Sequence, residues 1–203
     1  MKVAIEGAPG VGKSTLCRAL AAHVPDTTWV EEPVTDNPYL ADYYGNPRRW
    51  ALAMQVDILL RRANAIAAVA HRRHAVEFLD RSAWGDRLFA HTAKSLGLLE
   101  PREFDTYDSV FRTVSASAGA MPDVVVYLQA SPDALWARVA ARARPAEAGM
   151  TRAYLDAVCA SYEAFFANPP FGMRVAIVDW ETFGTAEVAW AAVEAAFSRG
   201  SRQ

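Results

Sequence analysis

Cysteine is scarce in this chain, with two in 203 residues. Neither Cys17 nor Cys159 belongs to a C-x-x-C pair or to a Cys/His metal spacing, so a disulfide scaffold or a zinc centre is not expected to organise the fold. Both thiols sit in apolar helical patterns and read as buried and free. Long apolar runs are missing as well. None approaches the roughly 20 residues that span a bilayer, so no membrane is expected among the partners. Charge of one sign is not in excess either: the net charge is −2, which gives no global attraction to nucleic acid or an anionic surface, so no nucleic acid is expected and any basic site has to be local. No charged leader or signal-like apolar segment precedes the first strand pattern. A reducing compartment suits free thiols, and the cytoplasm is the expected location. Repeats and low-complexity linkers are absent, and 203 residues fit one domain at the usual size of about 100–200 residues.

Against these absences stands one strong positive signal. Gly7-Ala8-Pro9-Gly10-Val11-Gly12-Lys13-Ser14 matches the pattern G-x-x-x-x-G-K-S/T, a phosphate-binding loop. The run Lys2 to Glu6 ahead of it carries β-branched residues, and Thr15 to Ala22 behind it is strongly helix-forming. Glycines without Cβ let successive N–H groups turn inward as an anion nest at a helix N-terminus. Lys13 adds a charge for the β- and γ-phosphates of a nucleoside triphosphate, and the Ser14 hydroxyl suits a Mg²⁺ ion bridging them.

The rest of the chain alternates strand and helix patterns. Thr27 to Glu31 reads as a second strand ending in Glu31-Glu32-Pro33, and carboxylates at a strand's carboxyl end are placed for chemistry in open α/β sheets, although adjacent loop carboxylates are usually solvated. A short helix is expected from Asn37-Pro38 to Tyr44, then a long one from about Arg48 to Arg72. In the long helix Ala51, Met54, Ile58, Leu59, Arg62, Ile66 and Val69 follow a 3.6 period. Gln55, seven residues before Arg62, lies on a similar side; by itself it reads as an ordinary surface glutamine. Ala75 to Leu79 is the third strand, with Asp80-Arg81-Ser82 at its end, where an acid commonly organises Mg²⁺ and an arginine can bridge phosphate oxygens.

Helices follow over Ala83 to Leu96 and Pro101 to Ser117, then an apolar strand over Asp123 to Leu128. Ser131-Pro132 caps a helix carrying Arg138, Arg142 and Arg144, and a loop with Glu147 comes after it. Such arginines are usually solvated, but they also suit a lid that closes over phosphates. A helix over Thr151 to Ala167, a strand over Arg174 to Val178, a loop through Asp179 to Gly184 and a last helix complete the chain. In the last helix Val188, Ala192, Val193, Ala196 and Phe197 form the expected apolar stripe. The fold class is α/β, a five-stranded parallel sheet with helices on both faces.

In this order the landmarks resemble the deoxynucleoside kinase family, the deoxyguanosine and deoxycytidine kinase branch in particular, over nearly the whole chain. The likeness is carried by Ile5-Glu6-Gly7 with the phosphate loop, Glu32-Pro33-Val34, Tyr44 with Pro47 and Trp50-Ala51 leading to Gln55, Asp80-Arg81-Ser82, Tyr127 to Pro132, Arg142-Ala143-Arg144 with Glu147, and Tyr154-Leu155.

The resemblance implies a P-loop nucleoside kinase fold with an arginine-bearing lid over about 142–150. It also implies transfer of the γ-phosphoryl group of ATP to the 5′-hydroxyl of a deoxyribonucleoside. Glu32 resembles the general base, Arg81 the arginine at the transferred group, and Lys13 the loop lysine. Gly7, Ala8, Pro9, Gly10, Val11, Gly12, Lys13, Ser14 and Thr15 would hold the donor's phosphates. Ser14 and Asp80 would serve Mg²⁺, Asp80 through water because it is shorter than the glutamate of the animal enzymes. Tyr44 and Glu147 resemble the pair on the sugar 3′-hydroxyl, and Gln55 the carboxamide that pairs with the base edge.

Arg62 and Asp86 match the pair of the purine and cytidine branch, which favours those bases over thymine. Arg138, Arg142 and Arg144 resemble the lid arginines, and Glu181, Thr182 and Phe183 the segment on the donor's base. One departure is that Phe89 follows Asp86 by three residues where the animal enzymes have four. One residue is about 100° of helix rotation, so one of the two is expected away from the family's place. The apolar face of the long helix suits a homodimer as in the family, and burial in the core would give the same pattern. A thymidylate kinase and a nucleotide-binding switch module are the competing readings; Glu32-Pro33 and Gln55 count against both.

Overall fold

Five short strands, each followed by a loop and then a helix, form the frame. A computed structural model describes residues 1–34, 37–69, 74–116 and 121–200. Strands β1 (Lys2–Glu6), β2 (Thr27–Val30), β3 (Val76–Asp80), β4 (Val124–Gln129) and β5 (Val175–Asp179) pair in parallel in the order β2-β3-β1-β4-β5. Register is set by pairs such as Ile5 with Asp80 and Ile5 with Val126. Parallel strands need crossovers, and helices supply them, so the inner strands are covered on both faces. Val3, Ala4 and Ile5 of β1 and Val124 and Val126 of β4 are accordingly fully buried.

The helices are α1 (Lys13–His23), α2 (Leu40–Gly45), α3 (Pro47–Val69), α4 (Ala83–Ser95), α5 (Pro101–Ser115), α6 (Pro132–Arg142), α7 (Arg152–Ala167) and α8 (Ala186–Gly200), with a 3₁₀ turn over Pro145–Glu147. Several starts follow from local chemistry. Ser131 accepts from the Ala134 N–H at 3.2 Å with Pro132 in the first turn, and Glu100 and Glu103 form a capping box around Pro101, each satisfying N–H groups that a helix start leaves free.

The expected bounds shift at a few places. Helix α2 opens at Leu40 because the Asn37 Oδ1 accepts the Tyr39 N–H at 2.8 Å and holds the preceding residues in a turn. Pro47 takes the first position of α3, as its fixed φ allows. The expected ends of α3 at Arg72 and of α5 at Ser117 lie outside the described residues. In α8 the buried stripe is Ala186, Ala189, Val193 and Ala196, whereas Val188 is 56% and Phe197 38% exposed. The face that meets the sheet is lined by small residues, which let the helix approach closely, and the larger Val188 and Phe197 fall to its side. The expected period in α3 holds, with Ala51, Met54, Gln55, Ile58, Leu59, Arg62 and Ile66 buried. Both cysteines are buried and free, and burial raises both thiols. Among the described residues no helix is long and apolar enough to cross a membrane.

Candidate active site

The carboxyl ends of β1, β2 and β3 deliver the phosphate loop, Glu32 and Asp80-Arg81 to one edge of the sheet. Outside that edge lies a cleft of about 450 Å³. Its walls include Pro9, Gly10, Gly12, Lys13, Ser14 and Thr15 of the phosphate loop together with Glu32, Tyr44, Gln55, Arg81, Asp86, Phe89, Arg138, Arg142, Arg144, Glu147 and Phe183. Most of the expected site residues thus converge from segments remote from one another in the chain.

The loop owes its shape to glycine. Gly12 caps α1 with φ +96°, and Gly10 has φ +87° with the Leu135 carbonyl 2.7 Å from where a Cβ would stand. A side chain at either position would be strained as well as crowded. Ala8 and Val11 point into the core instead and are 4% and 0% exposed. Lys13 is buried, and its Nζ donates to the carbonyls of Gly7 at 3.2 Å and Ala8 at 3.5 Å. Burial, helped by the Arg81 charge, brings its pKa from 10.5 down to about 8.

A buried ionic network stands opposite. Arg81, at φ +72°, is a non-glycine residue in the left-handed region, which is the kind of strain that functional sites retain. Its Nε donates to Glu32 Oε1 at 2.6 Å, and Phe89 lies under its guanidinium at 4.6 Å. Burial works to raise the Glu32 carboxyl, but the charges of Arg81, Lys13 and Arg62, with the Arg81 hydrogen bond, hold it at about 2. Arg62 donates to Asp86 twice, at 2.7 and 3.0 Å, and to the carbonyls of Asp80 and Arg81 at 2.7 and 3.2 Å. Asp86 and Phe89 both line the cleft, so the three-residue spacing still brings both side chains to it.

Gln55 and Asp80 are among the described residues that carry buried polar atoms without a partner. Gln55 is 1% exposed and its Nε2 has no hydrogen-bond partner, and both carboxylate oxygens of Asp80, 1% exposed, have none. Such groups cost stability unless something pairs with them. Gln55 lines the cleft, and its burial corrects the expectation of an ordinary surface glutamine. The Asp80 carboxylate, close enough to Lys13 and Cys17 to act on both, is the kind of oxygen donor that Mg²⁺ or its water shell takes. No cluster of three His, Cys, Asp or Glu residues able to hold a metal occurs among the described residues.

The remaining expected residues divide. Phe183 reaches the cleft, with its ring beneath the Arg138 guanidinium at 4.1 Å and beside Gly12. Glu181 does not: its carboxylate accepts the Ser131 N–H at 2.6 Å and hydroxyl at 2.7 Å, bonds that lower its pKa. Thr182 is exposed and stands outside the cleft walls. Arg138 is anchored to the carbonyls of Trp180 at 3.1 Å and Glu181 at 2.7 Å. Arg142 pairs with Glu147 at 2.6 Å, while Arg144 is more exposed. Tyr44 and Glu147 both line the cleft without a hydrogen bond between them, and burial followed by the Glu147 charge raises the Tyr44 phenol.

Sequence reasoning gave no role to Glu6 or Tyr162, yet both are fully buried at the Arg81 guanidinium. Tyr162 sits in the apolar stripe of α7 among Tyr154, Leu155, Val158 and Phe166, so its pattern signals core and nothing more. Glu6, a carboxylate that follows the apolar Val3-Ala4-Ile5 at the end of β1, is the available hint.

Residues 3–193 match the family model described as deoxynucleoside kinase. The chain is 30% identical over 182 residues to the deoxyadenosine kinase of Dictyostelium discoideum, covering 89% of this chain and 73% of that protein. It is 30% identical over 179 residues to the deoxyadenosine/deoxycytidine kinase of Bacillus subtilis (strain 168), covering 85% and 82%. A solved structure of deoxyadenosine kinase from M. mycoides with bound dATP superposes with a TM-score of 0.80 at 24% identity, over 98% of each chain.

Proposed function

We propose that this chain, which belongs to the deoxynucleoside kinase family, transfers the γ-phosphoryl group of ATP to the 5′-hydroxyl of a deoxyribonucleoside, with a purine or cytosine base preferred over thymine. The observation that carries the reading is the Gln55 carboxamide, buried with its Nε2 unpaired, in the same cleft as the phosphate loop and Glu32. A group that can both donate and accept suits a base edge. A hydrolytic switch would need no such group.

The roles follow from position and charge. The N–H groups of the loop and Lys13 hold the triphosphate. Glu32 is ionised at neutral pH and accepts the proton of the 5′-hydroxyl, while Arg81 shares its charge between Glu32 and the transferring phosphoryl group. Phosphoryl transfer asks for alignment and charge neutralisation more than covalent chemistry, and the cleft supplies both. Gln55 reads the base, with the Arg62 and Asp86 pair beside it; Tyr44 and Glu147 face the sugar. Arg142 and Arg144, in the segment over about 142–150, act as the lid, and Phe183 with Arg138 receives the donor's base. Ser14 and Asp80 would hold Mg²⁺, which supplies charge neutralisation to the phosphates when bound.

The proposal includes one catalytic domain over 1–203, a homodimer and a cytoplasmic location. A single sheet supports the first, and the buried free thiols support the last. The apolar face of α3 is used within the monomer, so the dimer rests on the family resemblance, and sedimentation tests it. The deciding experiment is a panel of four deoxynucleosides and dTMP with ATP and Mg²⁺, read as phosphorylated product. Monophosphate is expected from deoxyadenosine, deoxyguanosine or deoxycytidine ahead of thymidine. Product from dTMP with none from any nucleoside would overturn the proposal, and thymidine as the best substrate would overturn its base preference.

A further inference from the structure

Behind the cleft, Arg81 has a second set of contacts. Its Nη1 donates to the Gly7 carbonyl at 3.4 Å and to the hydroxyl of Tyr162. That hydroxyl in turn donates to Glu6 Oε2 at 2.9 Å. The other oxygen of Glu6 accepts both the N–H and the hydroxyl of Ser82, at 2.7 and 2.6 Å. Arg81 and Glu6 are 3.9 Å apart, beyond hydrogen-bond reach, so the phenol is what joins them.

We infer that Tyr162 is a positioning residue for phosphoryl transfer: its hydroxyl, braced on Glu6, fixes the Arg81 guanidinium between the phosphate loop and Glu32. The inference rests on the role of Arg81 proposed above. With Nε on Glu32 and Nη1 on Gly7 and Tyr162, the nitrogen left without a partner among the described residues is Nη2, and Arg81 lines the cleft. One hydroxyl that donates and accepts at once has to stay protonated; burial and the nearby Glu6 charge keep Tyr162 in that form against the opposing pull of Arg81. Without the hydroxyl, Nη1 keeps only the long contact to Gly7, and the strongest remaining attraction is Glu32. The guanidinium then turns toward Glu32 and away from the loop, which misaligns the group that neutralises the transferring phosphate.

Packing gives a clean way to test this. The Tyr162 ring stacks with Tyr127 at 5.8 Å and Phe166 at 6.1 Å and meets Phe89 edge-on at 6.3 Å, contacts that phenylalanine retains. Steady-state kinetics of the full chain would compare Tyr162→Phe, Glu6→Gln, the double variant and Arg81→Ala. Misplacement on the order of 1 Å costs about 100-fold. Tyr162→Phe is therefore expected to lower kcat about 10–100-fold, with KM for nucleoside and for ATP within about threefold and cooperative melting retained.

Glu6→Gln keeps the shape but puts an amide nitrogen where the phenol needs an acceptor, and it should lower kcat in the same way. The double variant should be no worse than the worse single one, because the two groups act through one chain of bonds. Wild-type kcat in Arg81→Ala would remove the reading of Arg81 itself. Wild-type kcat in Tyr162→Phe beside a crippled Arg81→Ala would remove Tyr162 alone. A raised KM at unchanged kcat, lost cooperative melting in Tyr162→Phe, or additive effects in the double variant would each make Tyr162 a packing residue and overturn the inference.

Discussion

Replacing Lys13 by methionine should make the empty protein more stable while abolishing its activity. The lysine is 7% exposed, and its pKa falls from 10.5 to about 8 because burial, with Arg81 second, disfavours the charged form. At about 1.4 kcal/mol per unit, keeping it charged at neutral pH costs about 3 kcal/mol. Methionine matches the shape of the neutral side chain. It gives up two bonds to the Gly7 and Ala8 carbonyls, worth about 1 kcal/mol together at these lengths. A net gain of about 2 kcal/mol remains, or roughly 4–8 °C in Tm for a chain of this size.

The gain has a pH signature. The folded-state pKa lies below the unfolded one, so below about pH 8 both states hold the proton and wild type carries the full cost. Between about 8 and 10.5 the folded state releases the proton while the unfolded state keeps it, and wild-type stability rises. About 2 kcal/mol of the difference between the two proteins should be gone by about pH 9.5. Urea unfolding of both proteins at neutral pH and at the higher pH measures this directly. A variant less stable than wild type at pH 7, or a difference that does not narrow with rising pH, would refute the reasoning about the buried charge.

Three further outcomes are expected. Glu32→Gln should lower kcat on the order of 10²–10⁴, the usual worth of a general base, with KM for the nucleoside little changed; near-normal turnover would remove Glu32 from the mechanism. Gln55→Leu should raise KM for the nucleoside about tenfold or more, since one lost hydrogen bond of about 1.5 kcal/mol suffices, while leaving Tm equal or higher because an unpaired buried amide is removed; unchanged KM would show that the base is read elsewhere. Arg62→Ala should cost about 3–5 kcal/mol by leaving Asp86, 2% exposed, without its partner, and a Tm within about 2 °C of wild type would contradict the pairing.

The last of these separates two kinds of information. In the sequence Arg62 matches a base-reading arginine by resemblance; in the fold it ties Asp86 to the backbone at the end of β3, so its loss is expected to reach stability as well as the selectivity proposed for it. Likewise Arg138 shared its spacing with Arg142 and Arg144, yet it alone is bonded to the loop after β5. Spacing along a helix says which side a residue is on. It does not say what the rest of the chain has placed there.

By itself the sequence determined the alternation of strands and helices, the phosphate loop and the strand ends from which Glu32, Asp80 and Arg81 project. These are local matters: hydrophobic period, capping residues and the glycines that a tight anion nest requires. Tertiary structure alone decided that Gln55 is buried with its Nε2 unpaired, that Glu181 is bound to Ser131 and Thr182 stays outside, and that the hydroxyl of Tyr162, 156 residues along the chain from Glu6, joins that carboxylate to Arg81. The physical reason is that hydrogen bonds and ion pairs are set by distances between segments remote in sequence, and no periodicity within one segment encodes them.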